Sequence, residues 1–218
     1  MFQTTETNIF VIIRAQTDER KDTKNMAMND SGKLVERPLS SKEIFNGRLL
    51  HVFFDEVRLP DGGTSTREWI KHPGASAVVP VFENGDVMLV RQFRYPVRQI
   101  FYEVPAGKID PNEEAGSTAE RELKEEAGLA CRSFAYVGHF YPGIGYSDEV
   151  IHCYAAWDIA SFEQQVDEDE FVIRERMPFS EVIEMVHQGE ITDGKTIIAL
   201  LRTWHWWQQH KPFPIGSP

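Results

Sequence analysis

Three glutamates stand closest to chemistry in this sequence: Glu122, Glu125 and Glu126, spaced i, i+3 and i+4. On an α-helix turning about 100° per residue they share one sector of about 100°. Like charges on one helix face repel by about 0.2–0.5 kcal/mol per pair, so the arrangement asks for a countercharge. A hard divalent cation matches an all-oxygen set of this kind. The plain alternative is a solvated acidic face, and three glutamates by themselves favour it.

The surrounding elements must hold those carboxylates in place. Ala119, Leu123 and Ala127, at i, i+4 and i+8, form a neighbouring stripe that can pack on a sheet. Arg121 could pair with Glu113 or another acid and fix the preceding loop. Gly107 and Gly128 bracket the element and are expected at tight turns. The helix is expected within Glu113–Glu126.

Upstream, Leu49–Arg58 alternates imperfectly, Pro60-Asp61-Gly62-Gly63 reads as a turn, and Thr66–Lys71 as a second strand. The apolar run Ala75–Phe82, the turn signal Asn84-Gly85 and Val87–Val90 predict a buried hairpin. Phe101–Val104 is a short strand. Downstream, Phe134–Phe140, Val150–Trp157 and Phe171–Arg176 read as strands. Two helices follow, Ser180–Gln188, with Ser180 as N-cap and Gly189 as stop, and Lys195–Trp207. This order predicts an α/β layered domain. The expected division is a mobile leader over 1–27, a small antiparallel β subdomain over 28–72, the main domain over 73–210 and a tail over 211–218.

Taken whole, the spacing shifts the balance away from the solvated face. Gly107, five residues, Glu113, seven residues, then Arg121-Glu122-Leu123-Lys124-Glu125-Glu126-Ala127-Gly128-Leu129 fills every fixed position of the Nudix box. The chain therefore resembles the Nudix hydrolases. The resemblance implies an α/β/α sandwich with a mixed sheet that binds Mg²⁺ or Mn²⁺, two or three ions per site. It also implies hydrolysis of a nucleoside diphosphate linked to another group. Glu122, Glu125 and Glu126 would be metal ligands, joined by the carbonyl of Ala106. Divalent ions suit the reaction because they neutralise the diphosphate oxygens, lower the pKa of bound water and align it with phosphorus.

Outside the box, residues 36–205 resemble the branch that hydrolyses ADP-ribose and other nucleoside diphosphate sugars. Arg67-Glu68, Arg91-Gln92-Phe93-Arg94, Glu103-Val104-Pro105-Ala106-Gly107 and Tyr141-Pro142-Gly143 carry that likeness. It implies substrate-binding roles for Arg67, Arg94 and Glu103, with surface salt bridging as the alternative for the arginines. Asp167-Glu168-Asp169-Glu170 resembles the branch's acidic loop, with Glu168 as general base and Glu170 as a further metal ligand. Glu125 and Arg121 are the other candidate catalytic residues. Where some relatives stack an aromatic on the base, this chain has Gly47-Arg48-Leu49, and Arg48 could stack through its planar guanidinium. ADP-ribose is the expected substrate, with GDP-mannose or a broader set of nucleotide sugars as the alternative. A sensor that binds a nucleotide sugar without hydrolysis is the rival of another class, although no box carboxylate is lost. The likeness and the small size of the segment before residue 72 also predict a homodimer.

Composition excludes several other classes. With 41% hydrophobic and 26% charged residues the chain is globular rather than disordered. A formal net charge of −11 argues against nucleic acid as a partner, and against an RNA-cap substrate. No apolar run reaches the roughly 18–20 residues of a membrane span, and no signal peptide is evident, so a cytoplasmic place is expected. Cys131 and Cys153 lie in strand-like stretches and read as buried free thiols. Trp204, Trp206 and Trp207 read as core or interface residues, and His139 and His152 as structural.

Overall fold

The computed structural model describes residues 31–161 and 171–213. The leader 1–27, the acidic stretch 162–170 with Glu168 and Glu170, and residues 214–218 of the tail lie outside them. The chain divides into two compact units. One comprises Ala75–Phe140 with Ile151 onward, and the other comprises the described residues before Ala75 with Tyr141–Val150.

The first unit contains a mixed four-stranded sheet in the order β7 (Ala106–Lys108), β4 (Ala75–Pro80), β9 (Ile151–Ser161), β8 (Leu129–Phe140). β4 runs parallel to β9 and antiparallel to β7. An antiparallel sheet of β10 (Val172–Pro178), β5 (Asp86–Arg94) and β6 (Gln99–Glu103) accompanies it. The helices are α1 (Ala115–Glu125), α2 (Phe179–Gln188) and α3 (Gly194–His210). This is the α/β sandwich with a mixed sheet that the resemblance implied.

Every residue of β4 is buried, which explains its unbroken apolar sequence. On one face Val78 packs with Ala119, Leu123 and Ala127, the stripe expected to seat α1, and with Leu129 and Ala156. On the other, Ala77 and Val79 join Cys153, Trp157, Phe179, Leu200 and Trp207 in the larger core. Trp204 and Trp206 pack against that core, as expected. Both thiols are free; Cys153 is buried and Cys131 half-buried.

Two local expectations need correction. The turn at Asn84-Gly85 forms, with Gly85 at φ 85° and the Phe82 N–H bonded to the Asp86 carbonyl at 2.8 Å. Yet β4 and β5 share only the Val81–Val87 bridge rather than a hairpin ladder. A strand has two edges, and those of β4 are taken by β7 and β9, those of β5 by β6 and β10. Ser180 is not the N-cap of α2. Pro178 holds that place without a side-chain bond, and the buried Phe179 donates its N–H to the Gly85 carbonyl at 3.0 Å. Gly189 does stop the helix, in the left-handed region at φ 78°.

The second unit is an antiparallel sheet of β1 (Arg37–Asn46), β2 (His51–Arg58) and β3 (Thr64–Lys71). The expected hairpin is its β2–β3 pair, closed at Leu59–Gly63. β1 was not foreseen, because Arg37–Asn46 mixes apolar and charged residues without alternation. Phe53 stacks on Trp69 at 4.9 Å, and the Trp69 indole N–H donates to Asp55 at 2.9 Å. All ten residues of β1 are exposed. No helix among the described residues is long and apolar enough to cross a membrane.

Candidate active site

The site is assembled at the end of α1, where the sheet makes the helix face unavoidable. Leu123 and Ala119 are fully hidden against β4, and this turns the glutamate face toward β7. Glu122 and Glu126 are buried, at 7% and 3% exposure, while Glu125 is half-buried. The Glu126 carboxylate accepts the backbone N–H of Ala106 at 2.9 Å. A backbone donor on β7 therefore fixes one carboxylate beside the Ala106 carbonyl expected to share its cation.

Gly107 lies within β7 and not in a turn, which corrects its expected role. Its purpose is close approach: a Cβ there would sit 1.8 Å from Glu122 Oε1 and 2.2 Å from Cδ. Glycine leaves the space that the Glu122 carboxylate fills. Gly128 is the turn residue, at φ 64°.

Arg121 ties the glutamates to the preceding loop, as expected and more widely. Its guanidinium donates to Glu113 at 3.1 Å from Nε and Nη2, to Glu122 at 2.7 Å, to Glu125 at 2.8 Å and to the Lys108 carbonyl at 3.0 Å. The hydrogen bond from Arg121, with those from the Thr118 hydroxyl and the Asp110 N–H, holds the Glu113 carboxyl at about 2. Arg121 is raised in turn, first by Glu113.

In donor chemistry these residues suit a divalent cation, although no three carboxylates among the described residues converge on one point, since Arg121 stands between Glu122 and Glu125. Three carboxylates and a main-chain carbonyl are an all-oxygen donor set. Two of the carboxylates are buried, and one guanidinium is divided among Glu113, Glu122 and Glu125.

A second charged group lies in the same unit. Glu103 is almost fully buried and receives Arg94 through two hydrogen bonds, 2.7 Å from Nε and 2.6 Å from Nη2. This bidentate pair raises the Arg94 pKa. Lys195 also bonds Glu103, and it reaches Asp193 at 2.8 Å. Burial would raise the Asp193 carboxyl, yet Lys195 and the N–H and hydroxyl of Thr196 hold it below its ordinary value. Arg94 keeps 43% of its side chain exposed, so the group presents a fixed, forked cation to solvent.

Lys195 and Asp193 were missed from sequence. The available signal was Asp193 placed three residues before Thr196, an N-cap pattern opening α3; its side chain accepts the Thr196 N–H at 3.0 Å.

Of the remaining expected residues, Arg67 and Arg48 belong to the second unit. Arg67 of β3 is bonded to Glu36 by both Nε and Nη2, and to the Thr66 carbonyl at 2.7 Å. It thus makes a surface salt bridge, with Glu36. Arg48 is exposed in the tight β1–β2 connection. His139 and His152 are paired across β8 and β9, and burial, then His139, lowers the His152 pKa. Burial pushes the thiols up, Cys131 to about 12 and Cys153 to about 11.

Comparison with known proteins agrees with this geometry. An ADP-ribose pyrophosphatase of Bacillus subtilis is 36% identical over 169 residues, covering 77% of this chain and 91% of the relative. A GDP-mannose pyrophosphatase of Yersinia enterocolitica is 32% identical, covering 76% of this chain and 91% of the relative. The crystal structure of an ADP compounds hydrolase superposes with a TM-score of 0.73 at 20% identity, covering 83% of this chain and 98% of that one. Residues 36–70 match the nucleoside diphosphate sugar hydrolase N-terminal domain and residues 71–201 the NUDIX domain. With its complete box gathered at the end of α1, the chain belongs to the Nudix hydrolase family.

Proposed function

We propose that the protein hydrolyses the pyrophosphate bond of a nucleoside diphosphate sugar, with ADP-ribose giving AMP and ribose 5-phosphate. The observation that carries this reading is the placing of Glu122 beside Gly107 and of Glu126 on the Ala106 N–H, with Glu125 tied to Glu122 through Arg121. Mg²⁺ or Mn²⁺, two or three ions, would be held by these glutamates, the Ala106 carbonyl and Glu170. When bound, the ions neutralise the diphosphate oxygens and make water a usable nucleophile.

The chain's own residues do the rest. Arg121 braces the loop carbonyl of Lys108 and aligns Glu122 and Glu125. Arg94, pre-oriented by the buried Glu103 and Lys195, offers its exposed side to a phosphate oxygen, so Glu103 contributes to substrate binding through Arg94. Arg67 would exchange Glu36 for the substrate, and Arg48 would stack on the base. Glu168 takes the proton of the attacking water. The helix glutamates would be engaged with the cations, and Glu122 and Glu125 are bonded to Arg121, which makes a carboxylate from another segment the better proton acceptor.

The domain division at residue 72 assigns 28–72 to dimerisation and 73–210 to catalysis. The exposed face of β1 supports a homodimer, with Ile44 at 52% and Phe45 at 54% exposure. A cytoplasmic place fits two free thiols.

A substrate panel tests the function: mononucleotide release from ADP-ribose, ADP-glucose, GDP-mannose, NADH and diadenosine polyphosphates, with Mg²⁺ and then Mn²⁺. The highest kcat/KM is expected with ADP-ribose. A clear preference for GDP-mannose would favour the second reading, which the 32% identity to a GDP-mannose pyrophosphatase supports. Tight binding of a nucleotide sugar without turnover would favour the sensor.

A further inference from the structure

We propose that Arg174, on β10, is a positioning residue for the carboxylate of Glu126, acting through the Glu126 main chain. The inference rests on the reading of Glu126 as a metal ligand and concerns how that ligand is held. Arg174 Nε donates to the Glu126 carbonyl at 2.9 Å. That carbonyl lies at the C-terminal end of α1, where main-chain acceptors lack helical partners and a cation is favoured. The Glu126 N–H closes the last turn on the Glu122 carbonyl at 2.9 Å, and its carboxylate takes the Ala106 N–H at 2.9 Å. Glu126 is therefore gripped three times: by its own helix, by β7 from the mixed sheet, and by β10 from the other sheet.

The guanidinium also lies against the glycine that ends the helix. A Cβ on Gly128 would stand 2.7 Å from Arg174 Nη1, 3.1 Å from Cζ and 3.2 Å from Nη2. Gly128 thus serves two needs, a left-handed backbone at φ 64° and room for a flat cation beside it.

One feature distinguishes this contact from ordinary helix capping. Arg174 Nη2 is buried and has no hydrogen-bond partner among the described residues. A buried donor left unmade is costly, and a shorter or apolar side chain would avoid that cost. The neighbouring Arg176, two residues along the strand, spends its nitrogens on Asp86 at 2.9 Å and Asn84 at 2.6 Å and lies over Phe82. Within β10, one arginine is a surface brace and the other reaches into the catalytic helix. Because Nε fixes the carbonyl, a shift there is transmitted through two main-chain bonds to the Cα that carries the ligand.

The experiment compares Arg174→Met, Arg174→Lys, Arg176→Met and Glu126→Gln in the full chain. Mn²⁺ affinity is read by EPR of the free ion without substrate, kcat and KM at saturating metal, and Tm by calorimetry. Outer partners of metal ligands typically alter metal affinity by about 10–100-fold. Arg174→Met should raise the Mn²⁺ Kd by about tenfold and lower kcat, leaving KM nearly unchanged. Arg174→Lys should recover part of the loss, since an ammonium can still donate to one carbonyl. Arg176→Met should lower Tm with no change in Kd. If Glu126→Gln weakens Mn²⁺ binding but Arg174→Met does not, or if Arg174→Met only lowers Tm as Arg176→Met does, the positioning role is wrong. If Glu126→Gln itself leaves Mn²⁺ binding unchanged, the underlying reading of the ligand fails instead.

Discussion

The end of α1 and the β1–β3 sheet are opposite solutions to placing polar and apolar groups. Around α1 the apolar stripe Ala119, Leu123 and Ala127 is fully buried, and the polar groups beside it are hydrogen-bonded to named partners. In the sheet, β1 contributes ten exposed residues, among them Leu39, Ile44 and Phe45. The first region pairs its charged groups within the described residues of one chain. In the second, β1 has paired its backbone with β2 while its side chains stay exposed among the described residues, the pattern expected of a surface that meets another subunit.

The largest expected effect lies in the first region. Glu126→Gln should lower kcat by about 10³-fold with Tm preserved, because metal charge stabilisation is worth several kcal/mol and about 1.4 kcal/mol is tenfold. Steady-state rates in saturating Mg²⁺ decide it, and near-wild-type turnover would remove the glutamate from the site. Glu168→Gln should lower kcat by about 10²-fold or more, leaving KM and metal affinity nearly intact and flattening the acid limb of the pH–rate profile. Should it retain most of its activity while Glu170→Gln loses it, the base lies elsewhere.

Gly107→Ala probes the close approach of β7 to the helix end. A methyl 1.8 Å from Glu122 Oε1 must displace that carboxylate, so Mn²⁺ affinity should fall by about 10–100-fold. The unincorporated region is tested by Phe45→Lys together with Ile44→Lys. Light scattering should give a dimer for the wild type, twice the 25.1 kDa chain, and a larger monomer fraction for the variant. A wild-type mass near 25.1 kDa at micromolar concentration would contradict the homodimer.

The smallest effect concerns Glu113. Its carboxyl is depressed from 4.5 to about 2, so its pairing contributes stability above pH 4.5 that fades as pH falls toward 2. Glu113→Gln should therefore be less stable than wild type at neutral pH, with the gap in Tm narrowing between pH 4.5 and 2. A gap that is constant with pH would show that Arg121 does not depend on the Glu113 charge.

The same contrast explains what was legible in the sequence. α1 could be read because local spacing sets both its apolar stripe and its carboxylate face, and Glu113–Arg121 is a short-range pair. Gly107 looked like a turn because glycine commonly serves that purpose; its actual demand comes from Glu122, fifteen residues away in sequence and adjacent only after folding. The supposed β4–β5 hairpin failed for a related reason, since strand partners are chosen by the whole sheet and a good turn does not fix them. β1 escaped notice because a strand whose side chains lie exposed within the chain shows no alternation. Arg174 and Lys195 act across 48 and 92 residues, on Glu126 and Glu103, and no local pattern marks them.

A metal-dependent nucleotide-sugar pyrophosphatase must release two monophosphates from ADP-ribose, and chromatography of the digest reads both, run with Mg²⁺, with EDTA in place of Mg²⁺, and with Glu126→Gln in Mg²⁺. AMP and ribose 5-phosphate in equal amounts are expected from the wild type in Mg²⁺, with release abolished by EDTA and strongly reduced in the variant. Equal release in all three reactions, or none from any nucleotide sugar, would rule out metal-dependent hydrolysis at these glutamates.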